Sequence, residues 1–554
     1  MISLITAVAS GCIIVWLIDL RMKFRKEIAR IGHVPTLRLL FPPQSILGFI
    51  IPPIPFISSG PNHGFRLKRE LFDKFGMDIY AGVGIIPTTS AYFVSDAEAL
   101  KQILASRGAF QKHNDDYQFL TIFGRNLIVS EGEEWRRQRK IVAPVFSDKN
   151  NRLVQVSAKG FVDQMTSTWS RDQPTRIQDI DGQVTMQITL CVISKAGFGQ
   201  DIEWWNDGEA PEGHKFTFKQ ALFTVSKNLP LIIVMPKWMF GWTKHWVHVR
   251  DAYQEMRHYF QEMISSRRAD NTPGSQAQAE EQHDLFNQLL LAHDDSSKLS
   301  EEELLAQAEE QHDLFNQLLL AHDDSSKLSE EELLGNVFLF LFAGHETTAH
   351  SLAFTLALLS VYPEEQRKVI EEIERLQKER DDFGYEDLPK YTYTQAVWYE
   401  TLRLYPIGPE LPRRAGFDTS LTYIPHDSKQ PTTISIKNGS QVIINIPGLH
   451  YNPNYWDDPT DFIPARFLEP NWNKDAFIPF LAGPRACIGR RFAETTALTV
   501  LVRLLSRYSV TIDTTNFNFI EGEPMLKLRE RLLSPTTRAT LAPGKIPLVF
   551  TPRK

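Results

Sequence analysis

The sequence predicts a mainly α-helical fold with a smaller β region, preceded by an N-terminal transmembrane helix. Three features predict it. Residues 2–18 are uncharged and rich in Leu, Ile and Val, and Asp19 and then Arg21, Lys23, Arg25, Lys26 and Arg30 follow. Segments of helical period fill most of the chain, above all the apolar stretch 329–361, which stops before Pro363. Short alternating pieces punctuated by Pro and Gly, at 79–94 and 419–446, read as strands gathered from distant parts of the chain.

The chain has 554 residues, enough for one large domain or several ordinary ones. Hydrophobic residues at 42% and charged residues at 23% exclude disorder as the main state. Lys and Arg number 60 against 67 Asp and Glu, for a net charge of −7, which excludes a globally basic nucleic-acid binder. Cys12, Cys191 and Cys487 are too few for a disulfide framework. That favours a reducing compartment and leaves any special cysteine to chemistry or metal ligation.

Residues 1–20 are expected to form the membrane anchor. The run is at the short end of the ~20 residues that span a bilayer, and the basic residues after it keep the rest of the chain in the cytoplasm. A signal peptide needs a basic residue before the apolar run and a small-x-small site after it, and neither is present. Residues 21–60 read as a basic and Pro-rich connector. Within it, Pro52, Pro53 and Pro55 break the stretch 46–57, which either rests on a membrane surface or forms a buried loop. Beyond it come helix at 64–75, two strands at 79–94, helix at 97–104 and an Arg-rich helix at 133–145. Residues 151–270 read as mostly helical with loops at 207–213 and 229–237. After the long helix come helices at 364–379, 392–404 and 498–508 and a strand at 546–550. No linker follows residue 60, so 61–554 is expected to be one catalytic domain.

Residues 277–305 recur letter for letter as 306–334. Solenoid repeats diverge and need about three copies to bury a core, so two identical copies read as a recent duplication or, as favoured here, a gene-assembly error. Only the second copy runs into the long helix, through a capping box at Ser329 and Glu332. The first copy is expected to loop out or to extend a surface helix.

Phe480, Gly483, Arg485, Cys487 and Gly489 lie within ten residues, in a loop entering a helix. A lone cysteine is usually just packed, but these residue types suit a thiolate ligand to haem iron. The sulfur must be deprotonated and tempered by backbone N–H donors, which a loop leading into a helix N-terminus supplies. Gly483 permits a tight turn. Gly489 lets the backbone approach a flat porphyrin, Phe480 shields the sulfur, and Arg485 reaches an anionic propionate. The segment closely resembles the haem-binding signature of the cytochrome P450 family, and further motifs in the family's order extend the resemblance over about residues 60–554.

The resemblance implies a cytochrome P450-like fold holding haem b, with Cys487 as the metal ligand. Ala343-Gly344-His345-Glu346-Thr347-Thr348 resembles the family's oxygen-activation motif. Ala343 and Gly344 remove bulk where dioxygen must sit, and Thr347 and Glu346 are the candidate catalytic pair, one hydrogen-bonding the oxygen and the other relaying protons through water. A buried helical Thr also commonly bonds the carbonyl one turn back. Glu400 and Arg403 share one helical face, as a surface pair or, given their apolar flanks, a buried one. They resemble the family's ExxR motif, for which Arg466 supplies the third partner; where the family usually has Glu, this chain has Ala465. Trp135 and Arg139 match the family's WxxxR pattern and lie one turn apart, facing a propionate unless the helix is merely an exposed basic one. Arg413, and further Lys112 or His113, stand where the family places other propionate ligands. Arg136, Arg137, Lys140, Arg490 and Arg491 form either a solvated charged face or a docking face for an acidic reductase.

The function so implied is a haem-thiolate monooxygenase that inserts one oxygen atom of O2 into an apolar organic substrate. The expected partners are an NADPH-cytochrome P450 reductase-like flavoprotein and a membrane, with no nucleic acid, and the expected location is the endoplasmic reticulum with the catalytic domain facing the cytoplasm. Two alternatives stand beside it: a haem-thiolate isomerase or dehydratase acting on a peroxide without external electrons, and a non-catalytic haem-binding protein. The intact Glu346–Thr347 pair argues against the isomerase.

Overall fold

A computed structural model describes residues 2–106, 108–199, 209–235, 237–270, 328–378, 382–425, 430–537 and 540–553. The chain divides into two units, Met1–His113 with Tyr399–Cys487, and Asn114–Trp398 with Ile488–Lys554.

The first unit is built on a six-stranded mixed sheet, in the order Thr36–Leu39, Ile79–Gly84, Thr89–Val94, Gln441–Asn445, Glu410–Ala415 and Phe110–Gln111. The predicted strand pair is an antiparallel hairpin with Ile79 opposite Val94. One face buries Val83, Tyr92, Val94, Val442 and Ile444 against Leu100 and Ile103 of helix Ala97–Ala105. That helix starts where the Asp96 side chain accepts the Ala99 N–H at 2.8 Å. On the other face the Tyr80 and Phe93 rings stack at 4.8 Å. Strand Glu410–Ala415 went unpredicted because Pro412 argues against a central strand.

The N-terminal helix runs from Ile2 to Ile31 rather than ending at Asp19. Nothing in the charged stretch breaks it, and an Asp19–Lys23 pair at 2.7 Å bridges the expected boundary. Its C-terminal part belongs to the fold: Ile31, and Val34 just beyond the helix, are in the core of the sheet, with Phe24 and Ile28 packed against it. Among the described residues no helix is long and apolar enough to cross a membrane, so the expected transmembrane helix is not found as such. Ile13, Ile14, Val15, Trp16, Leu17 and Ile18 are nonetheless each 50–66% exposed. The stretch 46–57 is not a buried loop either, since Ile46, Leu47, Ile50, Ile54 and Phe56 are exposed.

The second unit is organised around helix Glu330–Val361, begun by the predicted capping box of Ser329 and Glu332 and buried along almost its whole length. The unit also contains, among other helices, Asp148–Ser167, Met186–Val192 and Arg490–Leu505, and a three-stranded sheet. In that sheet Leu548–Pro552 pairs antiparallel with Tyr508–Ile512 and with Thr175–Ile177. The helix expected at 498–508 starts earlier, at Arg490, and ends at Leu505, with a turn before the strand that begins at Tyr508. Helix Phe218–Val234 runs through most of the loop expected at 229–237. Apart from 328–334, the duplicated segment lies outside the described residues, and so does the expectation for its first copy.

Candidate active site

In the first unit, the cysteine loop reverses direction within a few residues. Leu481 at φ +57° and Gly483 at φ +69° make the turn. A Cβ on Gly483 would lie 2.7 Å from the Leu104 carbonyl oxygen, so the position requires glycine twice over. The Cys487 N–H donates to the Phe480 carbonyl at 2.9 Å and closes the loop, leaving Cys487 exposed. Phe480 and Arg485 are half-buried and Arg413 is buried.

Behind this loop, Glu400 and Arg403 form a fully buried pair. Arg403 Nε and Nη2 donate to the two Glu400 oxygens at 2.7 and 2.8 Å, and its remaining N–H groups reach the carbonyls of His450, Pro459 and Asp461 at 2.7–3.0 Å. All five donors of the guanidinium are thereby used. Arg466 Nε reaches Glu400 at 3.2 Å, and the Ile463 N–H reaches the same oxygen at 2.9 Å. Ala465 is exposed, so the family's missing Glu removes no internal contact.

Sequence reasoning missed His450. Its Nδ1–H donates to the Arg403 carbonyl at 3.1 Å, and its Nε2 accepts the Ile478 N–H at 3.1 Å, two residues before Phe480. Burial, helped by the Arg403 charge, pushes its pKa down to about 3, so the ring is neutral and bridges helix Thr392–Leu404 to the base of the cysteine loop. A single histidine in an apolar stretch carries no local signal of such a role.

In the second unit, the long helix is buried from Glu332 to Leu359 except at Ala343, Gly344 and Thr347. These three lie on one side, at i, i+1 and i+4. The Thr347 hydroxyl donates to the Ala343 carbonyl at 2.7 Å, the one-turn-back bond open to any buried helical Thr, and its oxygen keeps acceptor capacity. A Cβ on Gly344 would lie 3.0 Å from Ile193 Cδ1, so packing against Ile193 also keeps this position small. Glu346 accepts the Thr540 hydroxyl at 2.9 Å, Thr540 contacts His350 Nδ1 at 3.2 Å, and His350 Nε2 lies 3.5 Å from Asp181. Glu346, Thr540 and His350 are all buried. Thr540, His350 and Asp181 were not anticipated, since no motif links positions so far apart.

Trp135 is buried and Arg139 half-buried on helix Gly132–Val142, which is therefore not a merely exposed basic helix. Arg137 is corrected: it does not belong to a docking face, because its two Nη atoms grip the Glu332 carboxylate at 3.1 and 2.5 Å. Gln138 adds a bond to Glu332 at 3.0 Å and accepts from Asn336 at 3.2 Å. Burial alone would raise the Glu332 carboxyl, but hydrogen bonds from Arg137, the Ser329 amide and Gln138 outweigh it and hold it below the usual range. Arg136 pairs with Glu133, and exposed Arg490 and Arg491 lie 2.8 and 3.5 Å from Glu494.

These residues fit a haem group. An exposed cysteine stands on a turn that backbone bonds hold, and in the same unit Arg485 and Arg413 offer guanidinium donors suited to carboxylates. Gly489 has an ordinary φ of −87°, and a Cβ there would meet only Phe146 at 3.8 Å, so no protein atom demands glycine. Its bareness suits a close-lying flat ligand.

Comparison with known proteins agrees. The family model "Cytochrome P450" matches residues 61–536. "Cytochrome P450 monooxygenase 124" of Postia placenta is 37% identical over 539 residues, covering 96% of each chain. "Cytochrome P450 3A41" of Mus musculus is 25% identical over 485 residues, 85% of this chain and 86% of its own. The crystal structure of the cytochrome P450DA heme domain superposes with a TM-score of 0.70 at 22% identity, covering 94% of this chain and 98% of that one, and so shares the fold.

Proposed function

The chain belongs to the cytochrome P450 family of haem-thiolate monooxygenases, and from that premise we propose that it inserts one oxygen atom of O2 into an apolar organic substrate, with electrons from NADPH delivered by a separate flavoprotein reductase. The observation that carries the assignment of the site is the Cys487 turn, closed on the Phe480 carbonyl and leading into helix Arg490–Leu505. Haem iron with a thiolate ligand supplies the activation of dioxygen.

The protein's own residues then divide the remaining work. Cys487 offers the sulfur. Phe480 shields it, and Arg485, Arg413, Arg139 and Trp135 hold the propionates. Ala343 keeps side-chain bulk off the open side of the long helix. Thr347 presents its hydroxyl oxygen as acceptor, its proton being held by the Ala343 carbonyl. Glu346 takes up and passes on protons, with Thr540 orienting its carboxylate. Glu400, Arg403 and Arg466 fasten the backbone that carries the cysteine turn. Arg136, Lys140, Arg490 and Arg491 are the candidate contacts for the acidic reductase.

The protein acts at a membrane, held by its N-terminal helix at the endoplasmic reticulum with the catalytic domain facing the cytoplasm. Six consecutive exposed apolar residues, 13–18, leave no polar side for water, which suits lipid. The exposed Ile46, Leu47, Ile50 and Phe56 offer a second apolar contact.

The decisive experiment is a carbon monoxide difference spectrum of the reduced protein, followed by product formation with NADPH and a reductase. Cys487→Ser abolishes the thiolate spectrum and turnover; if both persist, the assignment of Cys487 fails. Deleting residues 2–19 releases the protein from the membrane fraction if the helix is the anchor. Retention of the truncated protein there assigns the attachment elsewhere.

A further inference from the structure

Far along the second unit, two histidines and two glutamates converge in a place the monooxygenase chemistry does not use. Glu255, His258, Tyr259 and Glu262 lie on one face of helix Lys244–Asp270, spaced i, i+3, i+4 and i+7. His214 approaches from the segment that precedes helix Phe218–Val234. That segment is fixed by the Tyr259 hydroxyl donating to the Phe216 carbonyl at 2.7 Å and by Lys215 pairing with Asp251 at 3.1 Å. The His214 ring lies flat on Tyr259, with centroids 4.1 Å apart and planes 8° apart. His214 is therefore held from two sides before any ligand is considered.

We propose that His214, His258 and Glu262 form a binding site for a divalent transition ion of the zinc class, with Glu255 as the residue that orients His214. The ligand atoms of the three lie within 4.8 Å of one another. His214 Nε2 is 3.1 Å from Glu262 Oε2, and His258 Nε2 is 3.4 Å from Glu262 Oε1. Ligands about 2.0–2.1 Å from a tetrahedral zinc ion lie roughly 3.3 Å from each other; the two imidazoles approach different oxygens of Glu262 at spacings near that value, so the one carboxylate faces both rings. The other ring nitrogen, His214 Nδ1, is held by Glu255 Oε2 at 2.9 Å. A carboxylate on the far nitrogen fixes the tautomer and turns the near nitrogen's lone pair toward the metal, the arrangement found behind most metal-bound histidines. His258 and Glu262 stand i, i+4 on the helix, a spacing that by itself favours their pairing; the added feature is His214, which arrives from a separate segment and brings a second imidazole to the same carboxylate. Two imidazoles and a carboxylate select zinc, nickel or cobalt over magnesium or calcium. The fourth position is open to water. Such an ion fastens the segment carrying His214 onto helix Lys244–Asp270.

The test uses the haem-loaded, full-length protein purified without a histidine tag. Isothermal titration with Zn2+ gives one tight site per chain, together with a rise in unfolding temperature. His258→Ala, half-exposed and so harmless to folding, abolishes the tight site, and His214→Ala does the same. His245→Ala, an exposed histidine on the same helix, leaves it intact. Glu255→Gln keeps the stoichiometry at one while weakening zinc binding about 10- to 100-fold. The proposal is overturned if the unaltered protein shows no tight zinc site, or if His258→Ala retains it. Unchanged zinc affinity in Glu255→Gln overturns the orienting role.

Discussion

The Glu346 carboxylate, on the long helix, accepts the hydroxyl of Thr540, 194 residues further along the chain, at 2.9 Å. Thr540 in turn contacts His350, one helical turn beyond Glu346, so the acid of the proposed pair is held in a buried polar chain rather than by solvent alone. Thr540→Val keeps the volume and removes the bond. It is expected to lower NADPH-driven turnover about tenfold, less than the 10²-fold or more expected of Glu346→Gln, because orientation is lost while the acid remains. A purely structural defect slows every route equally. A defect in proton handling instead raises the fraction of electrons released as hydrogen peroxide and leaves peroxide-supported turnover intact. Equal loss along both routes would reduce Thr540 to packing.

Arg403 uses all five of its donors, against two carboxylate oxygens and three backbone carbonyls, with no exposure. Lysine has three donors and no planar fork. Arg403→Lys is expected to leave at least two of the five acceptors without a bond, at a cost of about 3–5 kcal/mol, in the range for a broken buried pair. The readout is haem bound per polypeptide, which falls to a small fraction of normal. Arg466→Lys is milder, because Arg466 makes one bond to Glu400 and keeps 11% exposure. Equal haem content in both variants contradicts the ranking.

The contrast between Arg403 and Thr540 shows what a sequence can reveal. Glu400 and Arg403 are three residues apart, so helical spacing alone places them on one face, and the apolar flanks indicate burial. Cys487 was legible because its neighbours each answer a separate chemical need within ten residues. Thr540, His350 and Asp181 have no such local logic; only the fold brings them to Glu346. Arg137 shows the opposite failure. Among neighbouring cations it reads as part of a basic face, yet Glu332, 195 residues away, claims both of its Nη atoms. Gly344 was legible as a close approach but not as one to Ile193. The N-terminal helix was cut short at Asp19 because a charge marks the end of an apolar run, whereas the helix needs only compatible backbones and an i, i+4 pair to continue.

Glu332 closes the capping box of the long helix and takes the Arg137 fork, so it joins helix Gly132–Val142 to the N-terminus of that helix. Its carboxyl is held below the ordinary value of 4.5. A lowered folded pKa contributes stability that is complete above the unfolded value and is lost as pH falls through the folded one. Glu332→Gln keeps the cap but loses the charge, and is expected to cost about 1.5–3 kcal/mol at pH 7, the range for hydrogen bonds to charged groups. The stability gap between the two proteins, measured by denaturant unfolding, then narrows as pH drops below about 4.5. A gap that stays constant to pH 3 assigns the loss to geometry and not to the charge.

His450 gives the last prediction its sign. Burial pushes its pKa down to about 3, and burial likewise pushes His63 to about 3 and His345 to about 4. The unfolded chain binds protons at these rings from pH 6.5 downward, whereas the folded protein refuses them until about pH 3–4. Stability therefore declines from pH 6.5 toward pH 4, by as much as about 1.4 kcal/mol per pH unit for each ring. His450→Gln retains a donor for the Arg403 carbonyl and an acceptor for the Ile478 amide, so most of the bridge survives at pH 7. What it removes is the titration. The slope of unfolding free energy against pH between 6 and 4.5 is expected to fall by about one proton's worth, while the slope above pH 7 stays the same. An unchanged slope between 6 and 4.5 means that His450 is protonated in the folded protein, and a protonated ring cannot accept the Ile478 N–H that ties it to the cysteine turn.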